Sequence, residues 1–207
     1  LTLWSSGAKP TVSSLNWAPG EVRANSAVVT LRAGKFLASP HVPTHLVLDV
    51  NAVFVRDTGE SGGRFVPLPP ERVLDSRLSN GRQQHRVVKF DMIPQGATGV
   101  VVTLTTTETT GPGHFTAWSE GPRRETSVLN VDGRNQTRAA TIMIGVSADR
   151  ELNIRSFRPE HAVVDIVGYY GRSDHGMFIP TPPKRLLDTR IGGVPVWRGG
   201  TVTGDDL

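Results

Sequence analysis

The chain contains no cysteine, so disulfide staples, thiolate nucleophiles and zinc–thiolate sites are excluded. No apolar run approaches the roughly 20 residues that a membrane-spanning helix needs. The first residues lack the basic and apolar regions of a secretory leader, so the expectation is a soluble fragment or mature product whose targeting signals lie elsewhere or have been removed. Long helix-forming runs are few. What is abundant is 22 Gly and 15 Pro set among Val and Thr, which predicts short strands joined by turns.

Charge narrows the partners only slightly. Lys and Arg number 23 against 19 Asp and Glu, a net +4, with arginine preferred over lysine. Such a balance favours anionic partners in general. The basic residues are dispersed apart from Arg123-Arg124, and no stripe alternates with aromatics, so no specific nucleic-acid partner is expected.

Self-similarity is the strongest signal. Phe65-Val-Pro-Leu-Pro-Pro-Glu-Arg-Val-Leu-Asp-Ser-Arg77 returns as Phe178-Ile-Pro-Thr-Pro-Pro-Lys-Arg-Leu-Leu-Asp-Thr-Arg190, 113 residues on. Leu3-Trp4-Ser5-Ser6-Gly7 matches Ala117-Trp118-Ser119-Glu120-Gly121, and Ser13-Ser14-Leu15-Asn16 matches Ser127-Val128-Leu129-Asn130, each 114 residues apart. Leu48-Asp49-Val50 matches Val164-Asp165-Ile166 at 116, and Arg23-Ala24 matches Arg138-Ala139. A period of this length fits one β-sandwich domain.

The expected organisation is therefore all-β, with tandem antiparallel β-sandwich units, one complete and two partial. Residues 1–55 form the second half of a unit, 56–63 a linker, 64–170 the complete unit, 171–176 a second linker and 177–207 the start of a third unit. Strands are expected at 86–92, 100–107, 114–118, 127–131, 140–146, 152–157 and 162–170. Val100, Val102 and Leu104 alternate with Val101, Thr103 and Thr105, which puts one face in a core. If the ends of the chain are not truncations, the strand at 100–107 is the main element that neither incomplete unit supplies.

Candidate chemistry centres on recurring carboxylates. Asp49 and Asp165 interrupt otherwise apolar strands, and a buried carboxylate must be paired. Arg72 and Arg77, and again Arg185 and Arg190, offer planar forks suited to that role. We expect a structural ion-pair clamp between these arginines and aspartates in preference to an anion or sugar site, and Asp165 in contact with an arginine. Asp75 and Asp188, each followed by Ser or Thr, belong to the same ion-pair set and suit turn or backbone capping. No catalytic residue, cofactor site or metal site is predicted. His41 and His45 flank Pro43 in a loop-like stretch, and no Gly-x-Ser-x-Gly elbow or phosphate loop is present. Asn135-Gln136-Thr137 fits a glycosylation sequon to which no role is assigned. Among the aromatics, Trp4 and Trp118 suit core filling, whereas Trp17 is the candidate for a surface ligand contact.

The order Phe-x-Pro-x-Pro-x-Arg-x-Leu-Asp-Thr-Arg, then Val-Val-x-Thr-Leu, Trp-x-x-Gly, Ser-x-Leu-Asn and Val-Val-Asp-x-x-Gly-Tyr-Tyr resembles the repeat of secreted and wall-associated proteins of high-GC Gram-positive bacteria (actinobacteria). Arg185, Leu187, Asp188, Thr189 and Arg190 carry it most specifically, followed by Asp165, Gly168 and Tyr169. The first segment departs from it, with Asn51-Ala52-Val53 where Val167-Gly168-Tyr169 stands. The resemblance implies β-sandwich modules in arrays, sometimes beside catalytic domains, at the cell surface or secreted. The function expected is a non-catalytic structural or adhesive repeat module, with other copies of itself or neighbouring repeats as partners in head-to-tail assembly. The alternative is a carbohydrate-binding module that targets a hydrolase to a cell-wall glycan.

Overall fold

In the computed structural model, residues 1–10, 13–54, 63–79 and 81–171 are described in full, and 177–188 and 200–203 as backbone strands. Among the described residues there is no helix; the chain forms β1 (Thr2–Trp4), β2 (Lys35–Ser39), β3 (Val47–Phe54), β4 (Gly63–Asp75), β5 (Gln83–Lys89), β6 (Gly99–Thr106), β7 (Gly113–Trp118), β8 (Leu129–Val131), β9 (Arg138–Gly145), β10 (Glu151–Glu160), β11 (Val163–Gly171), β12 (Met177–Asp188) and β13 (Gly200–Thr203). Each of the seven strands expected in the central unit is present to within a few residues. The expected linkers fall largely on residues 55–62 and 172–176, outside the described residues; Gly63 and Gly171 belong to strands.

The strands form three sheets, ordered β1-β2-β13, β5-β10-β7-β8 and β3-β12-β4-β11-β6-β9. The chain divides into two compact units, one of Leu1–Glu21, Ala27–Val50 and Lys184–Leu207, the other of Val22–Ser26 and Asn51–Pro183.

The second unit is a β-sandwich. Val88, Phe115, Ala117, Leu129, Leu152 and Ile154 from the four-stranded sheet share one core with Val100, Val102, Leu104, Ile142, Ile144, Val164 and Ile166 from the facing strands. Alternation explains the pattern, since successive residues point to opposite faces. β6 lies between β11 and β9, and its Val100, Val102 and Leu104 are wholly buried. Burying such side chains contributes about 1.5–3 kcal/mol each.

β4 is a strand where the sequence suggested only a proline-rich lead-in. Its pairing with β11 steps from Pro67↔Gly168 to Glu71↔Ile166, so Leu68, Pro69 and Pro70 bulge opposite Val167. A bulge spares proline the ladder N–H it lacks, which is how a Pro-Pro pair sits inside a 13-residue strand. Gly168 is required by a close approach. A Cβ there would stand 2.6 Å from Phe65 Cζ and 2.8 Å from the Val66 carbonyl oxygen. The Phe that opens one motif thus lies on the Gly of another.

The first unit contains the three-stranded sheet, and its pairing register can be laid against the four-stranded one. Leu3 pairs with Ala38, and Ala117 with Ile154; Trp4 pairs with Leu37, and Trp118 with Asn153. On the far side Thr201 pairs with Leu37 and Val202 with Phe36, where Val87 pairs with Asn153 and Val88 with Leu152. Ser14 N–H donates to the Leu1 carbonyl at 2.8 Å, as Val128 N–H does to that of Phe115 at 2.8 Å. Large and small residues exchange across one pair, Leu3 with Ala38 against Ala117 with Ile154, so the filled volume is nearly conserved. Leu1, Ala38 and Leu46 form this unit's core, with Leu3, Leu15, Trp17, Phe36 and Leu48 packed against them.

Candidate functional site

The densest set of charged side chains joins the end of β4 to β11. Arg72 and Asp165 are register partners on adjacent strands. This places the guanidinium fork beside the carboxylate, with Nε donating to Oδ1 at 2.8 Å and Nη2 to Oδ2 at 3.2 Å. Arg72 Nη1 also donates to Asp75 Oδ2 at 3.3 Å. Arg77 closes the other side of Asp75, through Nε to Oδ1 at 2.8 Å and Nη2 to Oδ2 at 2.5 Å. The Arg77 backbone N–H donates to Asp75 Oδ1 at 3.1 Å, a local turn bond.

Exposure separates the two aspartates. The Asp75 side chain is 6% exposed and that of Asp165 25%, while Arg72 is half exposed. The Arg77 side chain, hydrogen-bonded to Asp75, holds its carboxyl well below the usual carboxylate range; burial opposes this, and the Arg77 N–H and the charges of Arg77 and Arg72 add to it. Both carboxylates are occupied as acceptors by the arginines.

A second polar layer lies next to this set. Ser76 is fully buried, its N–H donates to the Ala162 carbonyl at 3.0 Å, and its Oγ accepts from Ala162 N–H at 2.9 Å. Ser76 Oγ also meets His161 Nδ1 at 3.1 Å. A Ser–His contact would suit a nucleophile and its base only if the serine were open to substrate and a carboxylate oriented the imidazole. Here the serine is sealed, and neighbouring Asp75 is engaged by arginines. Thr106 Oγ1 donates to the His161 carbonyl at 2.7 Å, which fixes this corner to β6.

Glu160 is buried, and its carboxylate accepts the Thr110 N–H at 2.9 and 3.0 Å and the Thr110 hydroxyl at 2.6 Å. Arg86 points into the same end of the sandwich and is held by carbonyls, with Nη2 donating to Gly81 O at 2.5 Å and Nη1 to Gln83 Oε1 at 3.2 Å. Burial lowers its pKa. Sequence reasoning singled out none of Ser76, His161, Glu160 or Arg86. Only the Ser/Thr following each repeated aspartate gave a signal; the others fall in turn-like or polar stretches with no spacing of their own.

The outer face of the four-stranded sheet is the other surface of interest. His85 stacks on Trp118 with ring centroids 5.6 Å apart and planes 9° from parallel, and its Nε2 meets Asn153 Oδ1 at 3.1 Å. Trp118 Nε1 donates to the Gly121 carbonyl at 3.2 Å, as Trp4 Nε1 does to that of Gly7 at 3.2 Å. Trp118 is therefore buried, as core filling requires, but beneath His85 and a turn on the sheet's outer side. Phe157, 55% exposed, lies near His114 with centroids 5.7 Å apart, and Arg158 stands over its ring. Burial, seconded by Arg123, lowers the His114 pKa while Glu125 opposes.

The structure thus gathers Arg72, Asp75, Arg77 and Asp165 into one cluster. Asp49 lies in β3 of the first unit, half-buried and with an interaction partner. Trp17 is half-buried against the first unit's core. Arg190 and the side chains of Arg185 and Asp188 lie outside the described residues. Among the described residues no three His, Asp or Glu side chains converge as a metal site, and no helix is long and apolar enough to cross a membrane. No protein-family model matches the chain, and no curated protein matches it.

Proposed function

We propose that the chain is a non-catalytic structural or adhesive module, built from tandem sandwich repeats of an extracellular or cell-surface protein and partnered by neighbouring repeats. The observation that carries this reading is the common register of the β13-β2-β1 and β5-β10-β7 sheets, down to the matching Trp–Gly bonds. Duplicated scaffolding is what a modular array requires, since each unit supplies the same rigid surface. The ion-pair cluster supports the same reading, because its acceptors are consumed in joining β4 to β11. Cosedimentation with isolated wall polymers tests it. Retention without release of soluble sugar is expected, and catalytic release of product would overturn it.

A carbohydrate-binding role targeting a wall glycan is the second reading, favoured by exposed Phe157 beside His114 on a sheet face. Retention on one glycan that Phe157→Ala abolishes would select it.

A further inference from the structure

The outer face of the four-stranded sheet carries cations that its own fold leaves unanswered. Along β10, Leu152 and Ile154 point into the core, so Asn153, Arg155 and Phe157 point outward. Arg155 lies opposite His85 on β5 and Thr116 on β7, on an interior strand of the sheet, and is half-buried. Its five N–H donors meet no acceptor among the described residues. Arg158 likewise makes no hydrogen bond or ion pair among the described residues. Its guanidinium stands 5.4 Å from the centroid of the Phe157 ring and lies against Gly111, where a Cβ would stand 2.5 Å from Nη1.

The carboxylates of this side do not answer them. Glu151 lies opposite Lys89 at the other end of β10, and Glu125, whose charge reaches His114, is ion-paired with Arg123 at 3.4 Å. The arrangement is also particular to the second unit. Trp4 pairs with Leu37 and Thr2 with Ser39, where Trp118 pairs with Asn153 and Thr116 with Arg155. The tryptophan and its turn bond recur in both sheets, so the scaffold forms without a guanidinium at this place. Keeping a half-buried charge without a partner costs solvation, and an acceptor supplied from outside offsets that cost.

We infer that this face of the second unit binds an acidic polysaccharide whose sugar rings carry carboxylates, with Phe157 stacked on a ring and Arg155 and Arg158 holding carboxylates beside it. The 55% exposed phenyl ring offers a flat apolar surface to the C–H face of a pyranose. Each guanidinium is a planar fork that takes a carboxylate at two points. Alternate residues of a strand stand about 7 Å apart, so Arg155 and Phe157 address a carboxylate and a ring of one sugar chain together. Arg158 is already seated on the phenyl ring, and His85 is fixed by its stacking on Trp118 and its bond to Asn153, so little ordering is needed on binding. A neutral glycan would leave both guanidiniums unanswered. This inference rests on the glycan-binding reading above and names the ligand class and the side chains that select it.

The test is titration of a short labelled oligogalacturonate with the intact 207-residue chain, followed by fluorescence anisotropy. Its methyl ester keeps the rings and removes the charge, and polyglutamate keeps the charge and removes the rings. Saturable binding of one oligosaccharide per chain is expected, because Ser39 stands in the first unit where Arg155 stands in the second, and it should weaken as salt is raised. The methyl ester should bind about tenfold more weakly than the acid, and Arg155→Gln or Arg158→Gln should weaken binding of the acid by about the same factor. The comparison of acid with ester requires no variant to fold. No saturable binding at millimolar oligosaccharide, equal binding of acid and ester, or equally tight binding to the Gln variants would overturn the inference. So would polyglutamate bound as tightly as the acid, which would make the face a site for acidic peptide. Retention on a neutral wall glycan that Phe157→Ala abolishes, without uptake of oligogalacturonate, rejects the acidic ligand and leaves the glycan-binding reading standing; retention on no glycan removes both.

Discussion

Val50 and Ile166 stand at matching places in β3 and β11, yet Ile166 is fully buried and Val50 only half-buried. The same contrast holds for Leu48 and Val164. The strands are comparably apolar, so the difference follows their neighbours: β11 lies between β4 and β6, whereas among the described strands β3 pairs with β12 alone. A residue's burial is set by what the topology places beside it more than by its own hydrophobicity. The β1-β2-β13 sheet makes the complementary point, because its register follows that of β7, β10 and β5 although Leu3 and Ala38 exchange sizes with Ala117 and Ile154. Pairing tolerates such exchange when volume is kept.

The contrast can be broken most forcefully at its centre. Leu104→Ala should cost the second unit about 2–5 kcal/mol, the usual range for a large buried side chain truncated in a tight core. Denaturant unfolding monitored by hydrogen exchange should show that loss in β6, β9 and β11 and no change in β1 and β2. Equal loss in both units would mean that they do not unfold separately. Gly168→Ala should follow at about 1–3 kcal/mol, because the new methyl meets the Phe65 ring and the Val66 carbonyl. Adding Phe65→Ala should recover part of it, a non-additivity that a double-mutant cycle would measure.

Much of this was legible beforehand and some was not. β6, β9 and β11 announce themselves by apolar alternation, and the Arg-x-Leu-Asp-Ser-Arg segment carries its own ion-pair partners, Arg72 and Arg77, three and two residues from Asp75. β4 was obscured because proline argues against a strand, and only the tertiary pairing reveals the bulge that admits Pro69 and Pro70. The Ser76–His161 and Glu160–Thr110 contacts join residues 85 and 50 positions apart, and no local spacing encodes them. Trp118 was legible as buried but not as to which side of the sheet buries it.

Two smaller effects sharpen the comparison through charge. The folded-state pKa of Asp75 lies below its ordinary value, so its contribution is complete above the carboxylate range and disappears as pH falls through it. Unfolding midpoints measured from about pH 5 to about pH 2 should decline, and Asp75→Asn should flatten that decline while lowering stability at neutral pH. Asp165→Asn should cost less, because half-exposed Arg72 is readily solvated on losing its partner. Smallest is His114: with its pKa lowered by burial, its imidazole should titrate below 6.5 by NMR, and protonation should weaken the fold slightly as pH falls through that region.

The β1-β2-β13 sheet has a mechanical consequence. β1 and β13 both run antiparallel to β2, so they are parallel to each other; Thr2 lies opposite Ser39 at one end of β2 and Thr203 opposite Lys35 at the other. Tension drawn through residues 2 and 203 therefore slides the outer strands lengthwise past β2, loading their transverse hydrogen bonds together instead of unzipping them one by one. Single-molecule extension through those two positions should meet a higher rupture force than pulling through residues 4 and 200, where the same bonds would be peeled in sequence. A unit held by such a sheet would resist load along the strand axis far better than load across it.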